Sequence, residues 1–172
     1  MLKIISITII FLSSTYLGFY YGETFKKRTK QLKSILKAIM FLNNEVMYSN
    51  TPLPDALNYV SIKVEDPVSN ILSSVGSKLQ SGSTESVYEA FKDEYVKKKS
   101  GFNLCEEDKV IIKDFLKGLG ESGVYGQDKL FNLTIENMKI NCKSADELAK
   151  KNSKMYRAIG ICFGAMIAIF LF

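Results

Sequence analysis

The chain has 172 residues, of which 47% are apolar, with 23 Lys and Arg against 18 Asp and Glu and no histidine. That length suits one modest domain, and the composition excludes a disordered or collagen-like chain. The missing histidine removes the commonest general base and metal ligand.

The first apolar run, "IISITIIFLSSTYLGFYYG" from Ile4 to Gly22, holds no charge. As a helix it is long enough to cross ~30 Å of hydrocarbon. It outlasts an ordinary signal core and no A-x-A-like site follows, so residues 1–22 read as a transmembrane anchor rather than a cleaved leader. With no strong breaker after Gly22, the helix continues from Glu23 to Asn50. Leu32, Ile35, Leu36, Ile39, Met40, Val46 and Met47 recur at steps of three and four on one face. Asn43 falls within that stripe and is expected to bond a neighbouring helix.

The stretch "EVMYSNTPLPDAL", Glu45 to Leu57, ends that helix and starts the next. Thr51 has an N-cap side chain, and Pro52 suits the first helical position. Pro54 then falls at the third position, or the helix begins there. Leu53, Ala56, Leu57 and Val60 form its apolar face. Asp66-Pro67 repeats the pattern for a third helix bearing Val68, Ile71, Leu72, Val75 and Leu79. Ser83 is expected to cap a fourth, whose closing Lys97, Lys98 and Lys99 suit the helix dipole. Glu106, Glu107 and Asp108 open a fifth. "GLGESGVYG", Gly118 to Gly126, is a turn, and a sixth helix runs from about Gln127 into the final uncharged stretch, Ala158 to Phe172.

The fold expected is therefore all-α: an antiparallel six-helix bundle over 23–157, flanked by an N-terminal transmembrane helix and a C-terminal one over 158–172. Charge sets the orientation. Lys26, Lys27, Arg28, Lys30 and Lys33 follow the first span, and Lys150, Lys151, Lys154 and Arg157 precede the second, leaving only Lys3 outside. These collars put the central domain in the cytoplasm and both termini across the membrane. Three cysteines at irregular spacing make neither a disulfide framework nor a zinc site.

The excess of positive charge lies in the collars. Between Ser34 and Ala149 there are 13 Lys and Arg against 17 Asp and Glu, so no basic face for nucleic acid is indicated. Ser14, Gly18 and Gly22, and likewise Gly160, Gly164 and Ala168, recur every four residues. Such small-residue faces favour close packing of transmembrane helices, within a chain or between chains of a homo-oligomer. No P-loop occurs, and the adjacent carboxylates open helices, so an enzyme, metal or cofactor reading has no support.

Three stretches carry a resemblance: "RTKQLKSILKAIMFLNNEVMYSNTPLPDAL", "LGESGVYGQ" and "KMYRAIGICFGAMIAIFLF". In order and over essentially the whole chain, they resemble the stage III sporulation protein AB family of endospore-forming bacteria. Its most specific pattern is carried by Glu45, Tyr48, Thr51, Pro52, Leu53, Pro54, Ala56 and Leu57. Lys154, Tyr156, Arg157 and Gly160 add a second. Leu119, Gly120, Ser122 and Gln127 match the family's glycine turn, but Gly123 stands where an Asp is expected.

The resemblance implies a component of a channel-like apparatus between mother cell and forespore. It implies a helical domain similar to the inner-membrane platform of type II secretion and type IV pilus machines. By that analogy the protein sits in the mother-cell membrane around the forespore and engages the stage III sporulation protein AA ATPase. The two turns, with Tyr48, are the candidate partner surfaces, although chain reversal alone accounts for either. A membrane-tethered adaptor without mechanical coupling is the competing reading.

Overall fold

A computed structural model of the chain describes residues 2–84, 86–119 and 124–171, and among these every regular element is helical. The elements are α1 (Leu2–Asn43), α2 (Leu53–Lys63), α3 (Val68–Gln80), α4 (Val87–Lys98), α5 (Glu106–Gly118) and α6 (Val124–Leu171). A π-turn, Asn44–Tyr48, follows α1, and a 3-10 turn, Lys99–Gly101, follows α4. The chain divides into two compact units: a terminal unit of Met1–Thr29 with Lys143–Phe172, and a central unit of Lys30–Cys142. The two long helices contribute residues to both.

The central unit is built on side-chain packing. Leu32, Ile35, Ile39 and Leu42 of α1, Leu57 and Val60 of α2, and Ile71 and Val75 of α3 are all buried. They follow the three-and-four spacing that puts one stripe of a helix against its neighbours. From α5, Phe115 meets Phe131 of α6 edge-on, with ring centroids 5.2 Å apart. Isolated helices as short as α2 to α5 are marginal in water, so this shared core holds them.

The terminal unit is an antiparallel pair. Gly18 of α1 faces Tyr156 and Gly160 of α6, and Gly22 faces Ser153. Further along, the Thr29 hydroxyl donates to the Ala145 carbonyl, 3.1 Å. Residue numbers rise on one helix as they fall on the other.

Several expected caps differ. Helix α2 starts at Leu53, so Pro54 takes the second helical position and Thr51 stands too far out to cap. The Thr51 hydroxyl instead donates to the Glu45 carboxylate, 3.1 Å, and its N–H to the Glu45 carbonyl, 2.9 Å. α1 leaves regular geometry at Asn43 rather than near Asn50, and the Ser49 N–H donates to the Asn44 carbonyl at 3.1 Å, one residue beyond α-helical spacing. Asn50 then reverses the chain at φ 51°, a conformation Asn tolerates better than most residues. Asn43 makes no bond to a neighbouring helix: its buried Oδ1 has no hydrogen-bond partner where the helix widens.

Asp66 and Ser83 do not cap either. Pro67 takes the boundary position of α3 and leaves Asp66 one residue too distant. The carbonyl of Glu65 accepts from Val68 and Ser69 N–H, both at 3.1 Å. Ser83 turns back to donate to the Lys78 carbonyl, 3.0 Å, at the end of α3, and Ser86 flanks α4 instead.

Candidate functional site

The terminal unit brings the small residues of both apolar runs together. The Ser14 hydroxyl donates to the Gly160 carbonyl, 3.0 Å. A Cβ on Gly18 would stand 2.7 Å from the Tyr156 carbonyl and 2.9 Å from the Gly160 Cα, so only glycine allows this approach. Gly164 lies against Phe11 and Ser14, and Ala168 is half-buried. The outer faces are the reverse of a soluble surface. Leu12, Tyr16 and Leu17 of α1, and Phe163, Ile169 and Phe170 of α6, are exposed. Exposed apolar area on this scale marks a surface that meets lipid or protein.

Aromatic and charged residues gather where these apolar runs end. Tyr156 stacks between Tyr21 and Phe25, with centroids 6.1 and 5.7 Å away. The Arg157 guanidinium lies 4.7 Å from the Phe19 ring centre and 3.5 Å from the Glu23 carboxylate, which Lys26 also approaches at 3.5 Å. Lys150 pairs with Asp146 at 2.8 Å. Lys27, Lys151 and Lys154 are exposed, and Arg28 is half-buried. In the central unit Lys30 reaches the Glu65 carboxylate at 2.6 Å and holds its pKa below the usual carboxylate value.

Of the two candidate turns, the Pro52–Pro54 segment lies wholly within the described residues. Tyr48 is 74% exposed, and Pro52 is also exposed. Leu53 and Pro54 are half-buried against the unit. In the second turn Leu119 is buried and Gln127 half-buried. Gly120, Ser122 and Gly123 lie outside the described residues.

Three buried polar groups escaped the sequence reading. The Gln31 amide donates to the Gly101 carbonyl, 2.7 Å, and accepts from the Asn103 N–H, 2.8 Å. It thereby pins the segment after α4 to α1. Asp108 is fully buried. It accepts from the Cys105 N–H at the start of α5, 3.0 Å, and from the Asn141 amide of α6, 3.0 Å. Glu94 is buried beneath Lys97, Lys78 and Lys98 at 2.9, 3.0 and 3.7 Å. The Lys97 and Lys78 ammoniums hold its carboxyl down at about 2. Each occupies a place that helical spacing reserves for the core: Gln31 precedes Ile35 by four, Asp108 precedes Ile112 by four, and Glu94 follows Ala90 by four. That spacing was the available signal.

The comparisons with known proteins agree with the resemblance. The family model described as stage III sporulation protein AB matches residues 3–172. The chain belongs to that family. A curated relative, stage III sporulation protein AB of Bacillus subtilis (strain 168), is 26% identical over 171 residues, 99% of either chain. A solved structure of stage III sporulation protein AB superposes with a TM-score of 0.65 at 24% identity. It covers 72% of this chain and 96% of that one, and it supports the all-α fold. Membership of the family assigns the protein to sporulation. Among the described residues, one helical stretch, Gly126–Phe170, contains a segment long and apolar enough to cross a membrane.

Proposed function

We propose that the protein is a non-enzymatic, membrane-embedded platform component of the mother cell–forespore channel apparatus. In this reading it couples the stage III sporulation protein AA ATPase on the cytoplasmic side to the membrane complex. Both apolar runs cross the mother-cell membrane, and the central unit is cytoplasmic. The observation that carries the reading is the terminal unit: two helices packed backbone to backbone, with apolar side chains facing outwards. In hydrocarbon such a pair loses nothing by exposing those side chains and gains from close packing. Because α1 and α6 each supply residues to both units, a load on the central unit has a covalent helical route into the membrane.

The Pro52–Pro54 turn is the proposed ATPase contact, since Tyr48 and Pro52 offer exposed surface on a turn closed by the Thr51–Glu45 bonds. The test is capture of the ATPase by the full chain in nanodiscs, with and without nucleotide, alongside Tyr48→Asp and Pro52→Asp. Nucleotide-dependent capture that is lost in a variant retaining wild-type circular dichroism supports the platform and its contact. Capture without nucleotide dependence favours the adaptor reading. No capture at tens of micromolar overturns the ATPase assignment. Labelling of single cysteines placed at the two ends and in the central unit tests the topology. Reactivity of all three from the same side would overturn it.

A further inference from the structure

Between α4 and α5 the central unit opens a groove of about 160 Å³. Phe91, Leu104, Ile112 and Leu116 line it, together with Tyr88 and Tyr95. The volume is close to the roughly 150 Å³ of a dry apolar cavity that holds one benzene. It therefore suits one aromatic ring or one branched aliphatic side chain. The walls are already held in place. Tyr95 lies between Phe91 and Phe102, with centroids 6.0 and 5.2 Å away, and the Lys117 ammonium sits 5.2 Å from the Tyr88 ring centre. A groove set before binding spends little ordering free energy on its occupant.

The charge around it is one-sided. Lys92, Lys109 and Lys113 also line the groove, on a unit that carries 14 Lys against 15 Asp and Glu overall. Lys109 is shared with Glu106 at 2.6 Å, and that contact raises its pKa. Lys92 and Lys113 are exposed and form no ion pair among the described residues. The groove thus offers an apolar hole beside two uncommitted cations.

We propose that the α4–α5 groove docks an acidic segment of a partner protein, with one Phe- or Leu-type side chain in the hole and flanking carboxylates on Lys92 and Lys113. The buried anchor supplies affinity, and the lysines supply attraction and selectivity. This surface is separate from the Pro52–Pro54 turn, so the inference stands or falls independently of the ATPase contact.

The probe is a fluorescein-labelled peptide, EDEFLEDE, titrated by polarisation onto the full chain in phosphatidylcholine nanodiscs. Binding in the tens of micromolar is expected at low salt, weakening as salt rises. The Lys92→Glu/Lys113→Glu variant, both positions being exposed, should weaken it about tenfold or more, as should the control peptide EDEAAEDE. The double variant should gain binding of KRKFLKRK, a reversal that mere misfolding could not produce. Equal binding of EDEAAEDE would reduce the effect to charge attraction and overturn the proposal. So would an unaffected double variant, or no binding at about 1 mM peptide. Displacement by glycerol-1-phosphate but not by sulfate would assign the lysines to a lipid headgroup and overturn it as well.

Discussion

In the terminal unit the backbones of α1 and α6 meet at Gly18 and Gly160, where a Cβ would come within 3 Å of main-chain atoms. In the central unit most helix contacts run through whole side chains, with Leu32, Leu57, Ile71, Phe131 and Met138 among the most buried. Among its described glycines, only at Gly76 of α3 does a main-chain carbonyl, that of Pro54 in α2, come as near. The polar groups differ in the same way. The terminal pair is joined by short hydroxyl bonds to main-chain carbonyls, from Ser14 and Thr29. The central unit buries an amide and two carboxylates, each with its own partners. On the proposed topology the contrast follows from the surroundings of each unit. In water, burying apolar side chains supplies the drive. In hydrocarbon that drive vanishes, and close contact with hydrogen bonding must hold helices together.

The contrast can be broken most forcefully in the central unit. Phe131→Ala should cost about 3–5 kcal/mol, since the ring is fully buried against Phe115. A chemical denaturation series on the full chain in mild detergent, followed by circular dichroism, measures it. A loss below about 1 kcal/mol would mean that the central unit is not held by side-chain packing. Next comes Asp108→Ala, which strands the Cys105 N–H and the Asn141 amide. A loss of about 2–3 kcal/mol is expected in the same titration.

Gly18→Ala tests the other side. The added methyl meets the Tyr156 carbonyl at 2.7 Å, and forcing the helices apart should cost about 1–3 kcal/mol. Thermal melting in nanodiscs reads this out, and an unchanged midpoint would refute backbone-to-backbone packing. The last test is electrostatic. Glu94 titrates near 2 in the folded chain against an ordinary 4.5, so the folded state binds fewer protons than the unfolded one. Its contribution is complete above about pH 5 and is lost as pH falls from about 4.5 towards 2. Glu94→Gln should lower stability at neutral pH and flatten the acid slope over that window, with stability measured as a function of pH as the check.

The chain reversals that frame the candidate surface were legible without coordinates because they rest on local chemistry. The prolines at 52 and 54 announced a reversal, and the lysines at 97–99 announced a helix end. The caps were less legible. Thr51, Asp66 and Ser83 all have cap side chains, yet each found a different partner or position. Moving a helix start by one or two residues changes which N–H groups are free, and propensity alone does not set that boundary. The α4–α5 groove left no trace in the pattern either. Phe91 stands four residues from Tyr95, and Ile112 four from Leu116, the spacing of any helix face turned to a core. Whether two such faces close completely depends on the angle and spacing of the helices that carry them.

The sequence by itself determined the helical class, the order and approximate limits of the helices, the apolar runs at either end and the family. All but the family follow from composition and from periodicity within a few turns of one chain segment; the family follows from the resemblance carried by motifs such as Glu45 to Leu57. The tertiary structure alone decided that the glycines of the two end helices face each other, and that Asp108 answers Asn141 across 33 residues of chain. It also left Lys92 and Lys113 beside an open hole while Glu94 gathered three other lysines. The physical reason is that helical periodicity says which face of a helix is buried and nothing about which residue of another helix it meets. That register is chosen by the packing of the whole core.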